Sequence, residues 1–214
     1  EALERILRDG ATRLAVVSGR AAGDLAKLVG TDPLPELWGS HGLERWLPGA
    51  DRRAATPSPV SASYLADAVR WIEARGWAAL LERKPFGIAL HARGASPGVF
   101  DEARSAFRER WVPGAAKAGL EPLDFDGGIE LRPAGRDKGE AVDRILAELD
   151  APAAVAYLGD DRTDEDAFRA LHGRGLGVLV RSELRATAAD LWIQPPGELI
   201  EFLEHWAAAT ENRG

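Results

Sequence analysis

Residues 157–168, YLGDDRTDEDAF, decide how the rest of the chain is read. An apolar segment, Val155 to Leu158, stops at a glycine and is followed at once by Asp160, Asp161, Asp164, Glu165 and Asp166. Such a segment reads as a buried parallel strand, and the polar residues beyond it lie at the strand's carboxyl end, where open α/β sheets hold their ligands. Carboxylates gathered there repel one another unless a cation sits among them, and hard oxygen donors with no His or Cys nearby suit Mg²⁺. A plainer account makes the segment an acidic helix start, with Thr163 as the cap and Glu165 and Asp166 facing the positive end of the helix dipole. That account does not explain Asp160 and Asp161, which stand before the cap.

Outward from this segment the two ends of the chain alternate between helix and strand patterns. Thr12 to Val17 reads as a short strand, Ala21 to Val29 as a helix stopped by Gly30, and Leu37 to Trp38 as the start of a buried strand. The last third gives helix Lys138 to Leu149, strand Ala153 to Leu158, helix Thr163 to Leu171, strand Leu176 to Val180, a short strand near Leu191 to Ile193 and a closing helix from Glu198. The middle differs. A Pro-rich link from Trp46 leads to helix Ser61 to Arg75, strands Ala79 to Arg83 and Gly87 to Arg93, helix Val99 to Ala118, and a hairpin of Leu120 to Phe125 with Ile129 to Arg132 about Asp126, Gly127 and Gly128. The expected fold class is α/β, a parallel sheet domain with an inserted α+β domain. The domains are expected at 1–45 with 134–214, and at 46–133.

Composition narrows the partners. A net charge of −7, from 27 Lys and Arg against 34 Asp and Glu, argues against a binder of nucleic acid, which carries a basic face. No run of about 18 apolar residues is present, so no membrane-spanning helix is expected. The absence of Cys removes thiolate metal sites and Cys nucleophiles and suits a reducing, cytoplasmic setting.

Two further signals fall at strand ends or helix starts. In VVSGR, residues 16–20, an apolar strand ends at Ser18, which offers a hydroxyl and free N–H groups to a phosphate oxygen; a simple helix cap by Ser18 is the bland alternative. Lys138 with Gly139 opens a helix, where an ammonium beside N-terminal amides attracts an anion. Together with the acidic loop these supply hydroxyl, cation and metal ligands for one phosphoryl group.

VVSGR (16–20), LRPAGRDKGEAV (131–142) and YLGDDRTDEDAF (157–168) resemble three motifs of the haloacid dehalogenase superfamily of phosphatases. With GSHGLE at 39–44 and ALHAR at 89–93, the detail resembles the trehalose-6-phosphate phosphatase family over essentially the whole chain. The resemblance implies a haloacid dehalogenase-like, Rossmannoid parallel sheet with an inserted α+β cap. It implies that Ser18 and Lys138 hold phosphate, that Asp160 ligates Mg²⁺ with Asp161 and Asp164 as further acidic members, and that Glu82, Lys84 and Glu130 recognise the sugar. His41, in GSHG, stands where it can reach the site entrance, and a hydrogen-bonded loop His is the alternative; His91 reads as a residue of the cap's structure. The spacing of Glu82 and Lys84 puts them on one face of a strand, where a surface ion pair is the bland alternative.

One part of the pattern is not found. These phosphatases attack phosphorus with the first Asp of a DxDGT motif, expected before Val16, and nothing there matches; Asp9 and Gly10 read as a turn. DFDGG at 124–128 imitates it but reads as the hairpin turn. The expectation is a chain cut from something longer, beginning at Glu1 with no Met, lacking the family's first central strand and therefore inactive and unstable by itself. The function expected of the intact enzyme is Mg²⁺-dependent hydrolysis of trehalose 6-phosphate in trehalose biosynthesis. The alternatives are another sugar-phosphate phosphatase of the sucrose-phosphate type, or a catalytically dead domain regulating a trehalose-phosphate synthase as partner.

Overall fold

The computed structural model describes residues 2–49, 52–125, 127–150 and 152–211, with the backbone alone for Pro97 and Glu211. The chain divides into two compact units, Glu1–Ala54 with Asp137–Gly214, and Ala55–Arg136.

The first unit contains α1 (Ala2–Asp9), β1 (Ala15–Val17), α2 (Ala22–Val29), β2 (Glu36–Gly39), β3 (Glu44–Trp46) and β4 (Arg52–Ala54). Its second segment adds α5 (Lys138–Ala147), β9 (Ala156–Gly159), α6 (Asp164–Leu171), β10 (Leu176–Val180), β11 (Leu191–Ile193) and α7 (Gly197–Glu211). β1 pairs parallel to β2 with Val16 opposite Leu37, and β3 and β4 continue this sheet antiparallel. β9, β10 and β11 form a separate parallel sheet. Among the described residues, β1 and β9 are therefore edge strands of two different sheets. Burial agrees: β2 is buried along its whole length, whereas β1 and β9 are only half-buried.

Helix α5 joins the two sheets on one side. Its Ala141 packs against Gly42, Arg144 Nη1 donates to the Gly42 carbonyl at 3.5 Å, and Gly139 lies so close to α6 that a Cβ there would stand 2.7 Å from the Asp166 carbonyl. Helices α1 and α7 pack together elsewhere in the unit, with Trp206 Nε1 donating to Thr12 Oγ1 at 3.1 Å. A charge network supports the β1–β2 side. The buried Glu36 carboxylate accepts from Arg13 Nε at 2.8 Å, Trp38 Nε1 at 2.9 Å and Arg45 Nε at 2.7 Å, and both arginines reach Glu148 just after α5. A buried carboxylate is tolerable only with such full compensation.

Strands β3 and β4 correct the expected boundary. The sequence pattern starts the insert at 46, whereas Trp46 pairs with Leu37 on one side and Arg52 on the other, so the first unit runs to Ala54 and the second spans Ala55–Arg136. The strands are short and charged and show no alternation; pairing and the Arg52 guanidinium, 3.9 Å over the Trp46 ring, hold them.

The second unit holds α3 (Pro59–Ala74), β5 (Leu81–Arg83), β6 (Ile88–His91), α4 (Pro97–Ala115), β7 (Leu120–Phe125) and β8 (Gly128–Pro133). Ser58 caps α3 by accepting from the Ser61 N–H at 3.0 Å, and Pro59 pre-sets its first turn. The four strands make one antiparallel sheet in the order β5-β6-β8-β7. Its period-two alternation is clean. Ile88, Leu90, Ile129 and Leu131 pack with Phe107 and Ile72 of the helices in one core, while Glu82, Ala89, Glu130 and Leu123 form one row across the opposite face. Each fully buried large side chain contributes about 1.5–3 kcal/mol. The expected hairpin is present with Phe125 opposite Gly128, where a Cβ would fall 1.9 Å from the Phe125 ring; Asp126 lies outside the described residues.

Candidate active site

Strand β1 ends at Val17, and the Ser18 N–H donates to the Trp38 carbonyl at 2.9 Å. Ser18 Oγ accepts from the Arg20 N–H at 3.1 Å, which leaves its own hydroxyl proton free for an acceptor such as a phosphate oxygen. Ser18 is not the cap of α2. That helix starts at Ala22, and the Ala22 N–H donates to Glu44 Oε2 at 3.1 Å. The chain after β2 folds back onto this turn: the His41 N–H donates to the Ser18 carbonyl at 3.0 Å, and a Cβ at Gly19 would lie 2.6 Å from the His41 imidazole. His41 is thus buried against the Ser18–Gly19 turn.

Ser40 and His41 both adopt left-handed backbone, at φ 51° and 57°. Each costs about 1–3 kcal/mol and persists only where its surroundings over-determine it. Here Ser40 N–H donates to the Arg20 carbonyl at 2.7 Å and Ser40 Oγ to Glu44 Oε2 at 2.6 Å. Strain of this kind collects at functional sites.

The acidic loop follows β9. Asp164, 2% exposed, accepts from Lys138 Nζ and Tyr157 Oη on Oδ1, both at 2.7 Å, and from the Asp160 and Asp161 N–H groups on Oδ2, at 2.9 and 2.8 Å. Its carboxylate is taken up by these four donors, which makes Asp164 the hub that folds the loop and holds Lys138. Burial, then the Asp164 charge and hydrogen bond, push the Tyr157 hydroxyl well above its ordinary pKa, so Tyr157 remains a donor. Gly159 is required by the same packing, since a Cβ there would sit 2.4 Å from the Asp164 carboxyl carbon. Asp161, exposed, accepts from the Arg162 N–H at 2.6 Å and Thr163 Oγ1 at 3.4 Å, and Thr163 makes no side-chain cap of α6.

Sequence reading missed the residues that brace this loop from behind. Arg181 Nη1 donates to the Asp160 carbonyl at 2.9 Å and Arg185 Nη2 to the Asp161 carbonyl at 2.8 Å. Glu165, at the start of α6, accepts from Arg185, from Thr187 Oγ1 at 2.9 Å and from the Ala188 N–H at 2.7 Å. Burial pushes Glu165 up, but the Ala188 N–H, Arg185 and Thr187 outweigh it and hold the carboxyl below its usual pKa. The signal for this brace was the pair of arginines in residues 181–185, following a loop whose carbonyls needed donors.

Asp160 is left exposed, and its carboxylate makes no hydrogen bond among the described residues. Mg²⁺ is usually held by one or two carboxylates together with substrate phosphate and water. Asp160 fits one such position and the exposed Asp161 keeps acceptor sites beside it, whereas the Asp164 carboxylate is taken up by its four donors; no group of three acidic or His side chains suited to a metal occurs among the described residues. Lys138, 11% exposed at its side chain, opens α5 beside Asp137, whose Oδ1 caps the helix by accepting the Glu140 N–H at 2.9 Å. The structure therefore joins Lys138, Asp164 and the acidic loop in one cluster and Ser18 with His41 in another, with α5 packed between them through Gly42 and Gly139.

In the second unit Glu82 and Lys84 do not pair with each other. Lys84 Nζ bonds the buried Glu130 carboxylate, Glu82 lies against His91 Nε2, and Arg132 Nη2 meets Glu121 at 2.8 Å. The three contacts share one face of the sheet.

The family model for trehalose-phosphatase matches residues 1–191. A trehalose-phosphate phosphatase of Mycobacterium marinum is 33% identical over 94% of this chain and 53% of its own length. An uncharacterized glycosyl hydrolase of Mycobacterium tuberculosis is 36% identical over 93% of this chain, which covers 16% of it. The chain thus spans about half, or less, of the curated relatives it matches. The solved trehalose-6-phosphate phosphatase of Aspergillus fumigatus superposes with a TM-score of 0.68 at 25% identity, covering 97% of this chain and 82% of that one. By sequence and by fold, the chain belongs to the trehalose-phosphatase family.

Proposed function

We propose that this chain carries the phosphate-binding and sugar-binding parts of a Mg²⁺-dependent, cytoplasmic trehalose-6-phosphate phosphatase. The observation that carries the reading is the Lys138–Asp164 cluster at the carboxyl end of β9: a half-buried ammonium fixed by one buried carboxylate and aimed by a helix start is built to meet a dianion. Ser18 donates its free hydroxyl proton to a second phosphate oxygen. Asp160 supplies a carboxylate to Mg²⁺, which when bound offsets charge on the transferring phosphoryl group. Glu82, Lys84 and Glu130 of the second unit recognise the hydroxyls of the disaccharide, since charged groups make its strongest hydrogen bonds. A trehalose-phosphate synthase is the proposed partner in trehalose biosynthesis.

The nucleophile is not found among the described aspartates. Asp9 ends α1, and Asp124 pairs with Arg108 at 2.6 Å in the second unit. We assign it to a strand that fits between the free edges of β1 and β9, so residues 1–214 by themselves bind phosphate without turning over substrate. The same gap supports a second reading, a phosphate-binding domain that regulates rather than hydrolyses.

Calorimetric titration of inorganic phosphate into the chain, its Lys138→Ala variant and its Ser18→Ala variant tests the site, with weaker binding expected in both. Unchanged affinity in Lys138→Ala refutes the phosphate assignment. Phosphate release from trehalose 6-phosphate, assayed in the intact protein with and without Mg²⁺, separates the enzyme from the regulatory domain.

A further inference from the structure

We propose that His91 is a positioning residue for sugar recognition, acting through Glu82. The inference rests on the reading of Glu82 as a sugar-binding carboxylate and deepens it. In the sheet register Glu82 stands opposite Ala89, and Ala89 opposite Glu130, so Glu82, Ala89 and Glu130 share a face. His91, two residues beyond Ala89, projects from that same face and reaches diagonally to Glu82.

The chemistry of the pair is unusual for a solvated surface contact. His91 Nε2 is buried and lies in ion-pair contact with Glu82 Oε2, while no other group among the described residues hydrogen-bonds that nitrogen. The contact is close but off the line of a directed hydrogen bond. A buried imidazole nitrogen with one acceptor in reach is costly to leave unsatisfied, so the position of that acceptor is tied to the ring. The ring in turn is fixed: it packs 4.9 Å from the Phe125 ring, and β6 is held between β5 and β8. The opposite end of the row is built in the same manner, with Lys84 drawn onto the buried Glu130. Glu82, half exposed at its side chain, is the member of the row with a carboxylate oxygen open to a ligand, and His91 sets where that oxygen stands.

Dissociation constants for trehalose 6-phosphate and for inorganic phosphate, measured by calorimetry on the intact protein, test this without requiring turnover. The variants are His91→Phe, which keeps the ring packing on Phe125; His91→Gln, which keeps an N–H donor; Glu82→Ala; and the double variant Glu82→Ala with His91→Phe. His91→Phe is expected to weaken trehalose 6-phosphate binding by roughly tenfold, the scale of one hydrogen bond to a charged group, and to leave phosphate binding unchanged. His91→Gln should recover most of the loss, and the double variant should be no worse than Glu82→Ala, because the ring acts only through the carboxylate. If Glu82→Ala weakens the sugar phosphate selectively while His91→Phe does not, or if the two losses add in full, the positioning role is overturned. If Glu82→Ala changes neither constant, the reading of Glu82 falls and the inference falls with it. Thermal unfolding of His91→Phe provides the structural control: a selective loss of affinity at an unchanged midpoint supports positioning, and equal losses for both ligands with a lowered midpoint refute it.

Discussion

In the second unit four strands form one unbroken sheet with a single apolar face; in the first, seven strands are divided between two sheets whose inner edges, β1 and β9, have no strand partners among the described residues. The difference lies in what substitutes for strand pairing. Where the sheet is continuous, period-two alternation places Ile88, Leu90, Ile129 and Leu131 in one core, and burial carries the stability. Where it is broken, helix α5 and buried ionic groups tie the pieces: Glu36 with Arg13 and Arg45, and Asp164 with Lys138. The second unit should therefore answer mainly to changes of volume, and the first to changes of charge.

The largest effect is expected from a cavity in the second unit. Phe107→Ala, at a fully buried position, should cost about 3–5 kcal/mol in urea unfolding. Val16→Ala on the half-buried β1 should cost much less, and equal costs would break the contrast. Next comes the buried pair of the first unit. Asp164→Ala strands Lys138 and the Tyr157 hydroxyl and should cost about 3 kcal/mol, while the double change Lys138→Met with Asp164→Leu should restore much of it. A full loss in the double variant would show that the loop needs the carboxylate's bonds to the Asp160 and Asp161 amides more than charge balance.

A smaller effect concerns pH. Arg45 foremost, then Arg13, hold the Glu148 carboxyl below its usual pKa against the opposing effect of burial. A depressed carboxyl contributes stability that is fully present above its unfolded pKa of about 4.3 and is lost as pH falls through the folded value. Glu148→Gln should reduce the loss of stability below about pH 4.3, by under about 1 kcal/mol given the group's exposure to solvent. An unchanged acid slope would show that the arginines are satisfied by Glu36 alone. The smallest effect should come from Arg108→Ala, whose pair with Asp124 is exposed on both sides; a change beyond about 0.5 kcal/mol would be a surprise for a surface ion pair.

Much of this architecture was legible because it rests on periodicity. The hairpin of β7 and β8, the helices begun by Lys138 and ended before Gly30, and the break between β1 and β9 all follow from apolar spacing, turn glycines and family order. What was not legible depends on partners distant in sequence. Strands β3 and β4 have charged sequences that become strands only through pairing onto β2. The acidic loop set Asp160 and Asp161 apart from the helix-start acids, but only the fold shows Asp164 filled by four donors while Asp160 stays open. Glu82 and Lys84 looked like one another's partners at short range, yet the register hands one to His91 and the other to Glu130.

The edges of β1 and β9, unpaired among the described residues, also govern how the isolated chain behaves at the bench. Each presents a row of backbone donors and acceptors, and neither Ala15–Val17 nor Ala156–Gly159 contains the lysine or proline that blunts an exposed edge. Such rows template pairing with any extended segment that meets them, another copy included. Concentrating the chain is therefore expected to favour oligomers in light scattering, and storage time should shorten as concentration rises.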